Sequence, residues 1–182
     1  MSPLFRVSAL SHDPTTSPPD YLTTSPPPWH LTGTAVLLLH DWRSVLALVH
    51  YDASPVGSYD ELALSTVIRC DPTVVEMYVN SQASMIGGRA GWGFPKQMAP
   101  LRWERHGPRV VFQAGSRRWR VRSCGPPLAV RAQLWSVQVL DGRKVKVPLR
   151  VVGRVRIAFQ GRRLALLIES FAMMVLPPLP ID

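Results

Sequence analysis

The chain has 182 residues, 46% of them hydrophobic and 18% charged, with a formal net charge of +9. That is one domain's length with enough apolar content to bury a sizeable core, which excludes wholesale disorder. The longest apolar stretches, 35–39, 164–168 and 171–176, are far short of the ~20 residues a membrane helix needs, so no membrane partner is expected.

Of the 21 basic residues only Lys96, Lys144 and Lys146 are lysines. An arginine-rich surface attracts phosphate without selectivity, and a nucleic-acid partner is not the expectation. Arg118, Arg120 and Arg122 alternate with Trp119, Val121 and Ser123, which reads as the wet face of a half-buried strand. Cys70 and Cys124 form no CxxC pair, and prolines and aspartates interrupt the first twenty residues where a secretory signal needs an apolar core. A reduced, cytoplasmic chain with two free thiols is therefore expected.

In chain order, residues 1–28 are rich in Pro, Ser and Thr and read as an extended arm ahead of one domain, 29–182. Strands are predicted over 29–40 and 44–51, followed by a loop over 52–58 with Pro55 and Gly57. Two more, 61–69 and 73–80, are split by Asp71-Pro72. Residues 81–88 suit a short helix that Gly87 and Gly88 would end. The second half is a run of hairpins. Gly107-Pro108 separates 101–105 from 109–113, and residues 114–116 lead into 117–123. Asp141-Gly142, between 134–140 and 143–147, is the strongest two-residue turn signal in the chain. Gly161 divides 151–160 from 162–175, and the proline-rich tail 176–180 is not expected to pair. Many short strands with turns at this spacing argue for a closed or sandwiched antiparallel β-structure.

The usual catalytic templates are missing from the sequence. There is no phosphate-binding loop and no GxSxG elbow, the five histidines show no ligand spacing, and no cofactor or metal is implied. The glycines of 87–93 resemble a dinucleotide loop, but Phe94-Pro95 interrupts the helix that such a loop must open. What remains is a lysine framed by apolar groups: Trp92, Phe94, Pro95, then Lys96, with Met98 beyond. A lysine of ordinary pKa (~10.4) is almost wholly protonated at neutral pH. A nucleophilic amine needs that value lowered, and desolvation by such neighbours supplies the means.

The run Gly88-Arg89 … Trp92-Gly93-Phe94-Pro95-Lys96 resembles the signature of the acetoacetate decarboxylase family. Gly57-Ser58-Tyr59-Asp60-Glu61 resembles that family's GxYxE segment, and Met77-Tyr78-Val79-Asn80 resembles the strand that precedes the GR motif. The likeness extends, more loosely, to residues 29–182. It implies a β-rich α+β fold, an antiparallel cone or barrel with one or two short helices around a central pocket, in a homo-oligomer. It also implies that Lys96 forms a Schiff base with a small keto acid or other carbonyl compound and that Glu61 stands beside it. Arg89, Trp92, Phe94, Met77, Tyr78 and Gln97 would surround the substrate. Decarboxylation is the leading reaction. Aldolase or dehydratase chemistry on the same lysine, or a non-catalytic ligand pocket, are the alternatives. The family's second lysine is Gln97 here, and the glutamate after the GR arginine is Ala90. Burial is therefore left as the means of depressing the pKa of Lys96, and Glu61, if ionised beside it, would pull that value back up.

Overall fold

The computed structural model describes residues 25–181. Most of the expected N-terminal arm lies outside these residues. The described chain forms eleven strands and one helix: β1 (Trp29–Asp41), β2 (Ser44–Ala53), β3 (Tyr59–Ile68), β4 (Asp71–Val79), α1 (Gln82–Trp92), β5 (Lys96–Met98), β6 (Leu101–His106), β7 (Arg109–Ala114), β8 (Arg117–Leu140), β9 (Arg143–Gln160), β10 (Arg163–Val175) and β11 (Leu179–Pro180). They make a single sheet in the order β5-β4-β3-β2-β1-β10-β9-β8-β7-β6, with β11 on β9. The pairings are antiparallel except for β4 with β5, which run parallel. The α1 helix is too short to cross a membrane, and none among the described residues is long and apolar enough to do so.

The fold is the β-rich one expected, with a difference in how it closes. The sheet does not join its own ends through a ladder; β5 and β6 remain its two edges. Side chains bridge the gap instead. Asp60 on β3 takes the backbone N–H of Trp103 on β6 at 3.1 Å, and the Asn80 amide donates to the Leu101 carbonyl at 3.3 Å. Asp60 also meets His50 Nδ1 at 2.7 Å, so one buried carboxylate ties β2, β3 and β6 together.

Because side chains alternate along a strand, the same strands feed two separate cores. One gathers Val36, Leu48, Leu62, Leu64, Val110, Phe112 and Leu167 on one face of the sheet. The other gathers Leu31, Ala35, Val49, Tyr59, Met77, Trp92, Phe94 and Phe171 on the opposite face. The hairpin β6–β7 and the start of β8 cover the first face, whereas α1 and the facing ends of β9 and β10 enclose the second.

Several boundaries differ from the sequence reading. Residues 117–140 are one strand, although Gly125-Pro126-Pro127 suggests a break. The ladder steps from Cys124–Ile157 to Leu128–Val155 and leaves those three residues in a bulge, where prolines cost no ladder bond. Residues 143–160 likewise run through Pro148 as one strand. The tail does pair, since Leu179 and Pro180 lie opposite Lys146 and Val145. At the Asp141-Gly142 turn both residues have positive φ, 50° and 76°, as a two-residue hairpin of this twist demands. Arg118, Arg120 and Arg122 are all exposed, and Cys70 and Cys124 are exposed and unpaired.

Candidate functional site

The helix that the glycines seemed to end continues for another turn. Ser81 caps its N-terminus by accepting the Ser84 N–H, and Gly93, with φ 71°, closes it by donating to Arg89 O. A Cβ at Gly93 would stand 2.1 Å from the Val139 carbonyl, so glycine is required there twice over, by its backbone and by the approach of β8. Gly87 and Gly88 stay helical because they are contact points. A Cβ at Gly87 would lie 2.6 Å from the Trp29 ring, and one at Gly88 2.6 Å from Lys96 Cε. Ser84, Gly88 and Trp92 thus form one inward stripe at i, i+4 and i+8.

Beyond Gly93 the chain turns through Phe94 and Pro95, and Lys96 opens β5 opposite Met77 of β4. Its backbone carbonyl accepts from Arg89 Nε at 2.7 Å. The side chain points inward and is only 4% exposed. Its ammonium lies 2.9 Å from Glu61 Oε2 and donates to Ser84 Oγ at 2.8 Å. It also faces the rings of Tyr59 at 5.2 Å and Trp29 at 5.9 Å, within the range of cation–π attraction. The other oxygen of Glu61 accepts from the Tyr51 hydroxyl at 3.1 Å. Glu61 comes from β3, where it sits opposite Val49 on β2 and Val79 on β4.

These groups close one end of a cavity of about 500 Å³ whose walls include Trp29, Leu31, Tyr51, Tyr59, Met77, Gly88, Trp92 and Phe94. Of the residues expected around a substrate, Glu61, Met77, Trp92, Phe94 and Lys96 line it. Three do not. Tyr78 is buried in the opposite core, one position out of phase with Met77. Gln97 is exposed, out of phase with Lys96, and Arg89 is exposed on the far side of the helix. Arg89 acts from outside, fixing the backbone of Lys96. The sequence reading missed Ser84, Tyr51, Tyr59 and Trp29. Ser84 carries a signal, standing one helical turn before Gly88. Tyr51 carries none, because its place depends on the β2–β3 register.

The electrostatics also correct an expectation. Burial pulls the Lys96 pKa down, but attraction to Glu61, then to Tyr59, and hydrogen bonds to both outweigh it, so the pKa lies above the ordinary lysine value. Lys96 is an ammonium at rest rather than a desolvated free amine. Burial, opposed by Lys96 and reinforced by Glu61, pushes the Tyr59 phenol up to about 12. Burial first, and Glu61 next, hold Tyr51 well above the usual phenol range. Both phenols are neutral donors at any physiological pH. Among the described residues no group of three His, Cys, Asp or Glu is placed to hold a metal ion.

Comparison with known proteins agrees with this picture. Residues 43–122 match the family model described as acetoacetate decarboxylase. No curated protein sequence matches the chain significantly. Among solved structures, acetoacetate decarboxylase from Legionella pneumophila superposes with a TM-score of 0.57 at 11% identity, covering 92% of this chain and 93% of that one. A second acetoacetate decarboxylase structure gives 0.54 at 11% identity, over 84% and 88% of the two chains. The enduracididine biosynthesis enzyme MppR, in complex with pyruvate, gives 0.52 at 15% identity, over 88% and 92%.

Proposed function

We propose, for a chain whose residues 43–122 match the acetoacetate decarboxylase family model, that it is an enzyme in which Lys96 condenses with the carbonyl group of an organic substrate. The observation that carries this reading is a fully enclosed lysine at the end of an apolar cavity, with a carboxylate 2.9 Å from its nitrogen. An ammonium cannot attack a carbonyl, so Lys96 first gives one proton to Glu61. The freed amine attacks, the C–N bond forms, and the carbonyl π electrons move to oxygen. Glu61 returns its proton to that oxygen, which leaves as water together with a second proton from nitrogen. Ammonium plus carbonyl compound thus yields protonated iminium plus water, and Glu61 ends as the carboxylate beside the new cation. Ser84, Tyr51 and Tyr59 hold the pair in place, and the apolar walls keep water from reversing the step.

The iminium then accepts electrons from a neighbouring bond. In decarboxylation that bond is the one to a β-carboxylate, and CO₂ leaves. A second reading, removal of an α-proton for aldol or dehydration chemistry, is favoured by one feature. Among the described residues that line the cavity Lys96 is the one cation, so none of them offers a separate positive group to hold a substrate carboxylate, while Glu61 is adjacent as a base.

The test is reductive trapping. Incubation with keto acids and simple ketones plus borohydride should add one substrate mass at Lys96, and Lys96→Ala should show none. A broad panel that leaves Lys96 unmodified overturns the enzyme reading and leaves a ligand pocket. Release of CO₂ from a β-keto acid, against deuterium uptake at the α-carbon of a ketone in heavy water, separates the two reactions.

A further inference from the structure

Resting on the Lys96 reading above, we infer that the substrate is a carbonyl compound bearing an extended, uncharged apolar tail, rather than a small keto acid. The cavity is much larger than the reacting group. Its volume of about 500 Å³ is that of a site for a drug-sized ligand. At roughly the ~30 Å³ that a water occupies, it has space for on the order of fifteen non-hydrogen atoms.

The cavity is also long. Its lining runs along β3 from Tyr59 to Ser65 and along β1 from Trp29 to Leu37. At ~3.3 Å per residue these stretches span roughly 20–26 Å. Lys96 and Glu61 sit near one end, so the carbonyl is held there and the rest of the molecule must lie along the strands.

The walls away from the lysine are hydrocarbon. Leu37, Ala47, Val74, Val151, Ile168 and Met173 are among the lining residues. Apart from the groups around Lys96, the polar side chains of the lining are the hydroxyls of Ser65, Thr73 and Ser136, which are uncharged. Among the described residues no lysine, arginine or histidine lines the cavity beyond Lys96, and Lys96 is already engaged by Glu61. A charge on the distal part of a substrate would lose its water with no counter-charge in reach among the described lining residues. A hydrocarbon tail gains at every methylene it buries.

The width has a cause in the sequence. Ala35 and Ala47 occupy inward positions of neighbouring strands, where the opposite face carries Val36, Leu46 and Leu48. Small side chains on one face and large ones on the other leave a groove beside a filled core.

A homologous series tests this on the intact protein. Straight-chain 2-alkanones from butanone to 2-undecanone are trapped with borohydride, and the half-saturating concentration for the Lys96 adduct is measured by mass. It should fall about fourfold for each methylene added, corresponding to ~0.8 kcal/mol per buried CH₂, and level off once the tail fills the cavity. Ala47→Phe should raise it for long members more than for short ones, and a terminal carboxylate on the tail should weaken binding. Efficient trapping with no chain-length dependence overturns the inference and leaves the proposed function standing. Failure of every ketone to trap overturns the enzyme reading itself. Titration of Trp29 and Trp92 fluorescence with 2-alkanols, which cannot form an imine, then reads the tail alone. A chain-length gain there supports the apolar class of ligand, and its absence overturns that as well.

Discussion

The two cores of this molecule are drawn from alternate residues of the same strands, yet one is solid and the other hollow. On β3, Leu62 and Leu64 enter the solid core, whereas Tyr59, Glu61 and Ala63 turn to the hollow one. On β1 and β2, Val36 and Leu48 are fully buried in the first, and Ala35 and Ala47 line the second. The solid core is completed by Phe112, whose ring packs against Trp103 and Trp119 at 6.1 Å. The hollow one is completed by a helix with glycine where Lys96 passes. A sheet can therefore hold an ionic pair and a large cavity on one face because its other face buries large apolar side chains that contribute stability.

The largest effect should come from breaking the solid side. Phe112→Ala should destabilise the protein by ~3–5 kcal/mol, the usual cost of deleting a buried aromatic ring, measured by chemical denaturation. The matching change on the hollow side, Ala47→Leu, should cost less than ~1.5 kcal/mol or stabilise, since the added methylenes enter existing space. Equal losses at both positions would mean that the two faces are packed alike.

Lys96→Met should come next. It leaves Glu61 buried without its counter-charge, and breaking a buried pair from one side costs ~3–5 kcal/mol. Adding Glu61→Leu should recover most of that loss, because removing both charges together leaves nothing uncompensated. If the double variant is no more stable than the single one, Glu61 is not the group that makes the substitution costly.

Alkaline pH should probe the same pair more gently. Lys96 and Tyr59 both have folded-state pKa values above their unfolded ones. Each therefore contributes stability that is fully present below its unfolded pKa, near 10 for both, and is lost as pH rises through the folded value. For Tyr59 the rise from 10.0 to about 12 corresponds to ~2–3 kcal/mol. Stability should hold up to about pH 10 and decline toward pH 12, and Tyr59→Phe should flatten that limb. In trapping experiments, Glu61→Gln removes both the largest influence raising the Lys96 pKa and the acid–base group of imine formation, so the midpoint of the pH profile should move down while the maximal trapping rate falls.

How much of this was legible beforehand follows from the range of each signal. Turn chemistry is local, and Asp141-Gly142 and Gly161 mark turns where the chain does turn. The Trp92–Lys96 run is local as well, and it led to the lysine at the end of the cavity. Strand continuity through Pro126-Pro127 and Pro148 is not local, because it depends on a partner strand that tolerates a missing donor. The environment of Lys96 is the least local feature. Glu61, Ser84, Tyr51 and Trp29 come from β3, α1, β2 and β1, and although the sequence sets burial against an ionised Glu61, only the assembled sheet shows the carboxylate 2.9 Å from the nitrogen and the lysine pKa raised on balance. Period-two alternation, applied strictly, would have separated Tyr78 from Met77 and Gln97 from Lys96.

That alternation yields the smallest expected effect and the sharpest check on the geometry. Sequence resemblance places a second lysine next to the reactive one, which makes Gln97→Lys look like the change that would lower the Lys96 pKa through like-charge repulsion. In this fold position 97 is exposed on the edge strand β5, with its side chain directed away from the cavity. A new ammonium there would be solvated, and water with ordinary salt would screen it from a buried group across the strand. Neither the pH profile of borohydride trapping nor its rate near neutrality should change, and stability should move by less than ~0.5 kcal/mol. A clear gain in reactivity would show that residue 97 reaches the lysine nitrogen, and the register of β5 against Met77 and Tyr78 would then have to shift by one residue, which would carry Lys96 itself out of the cavity.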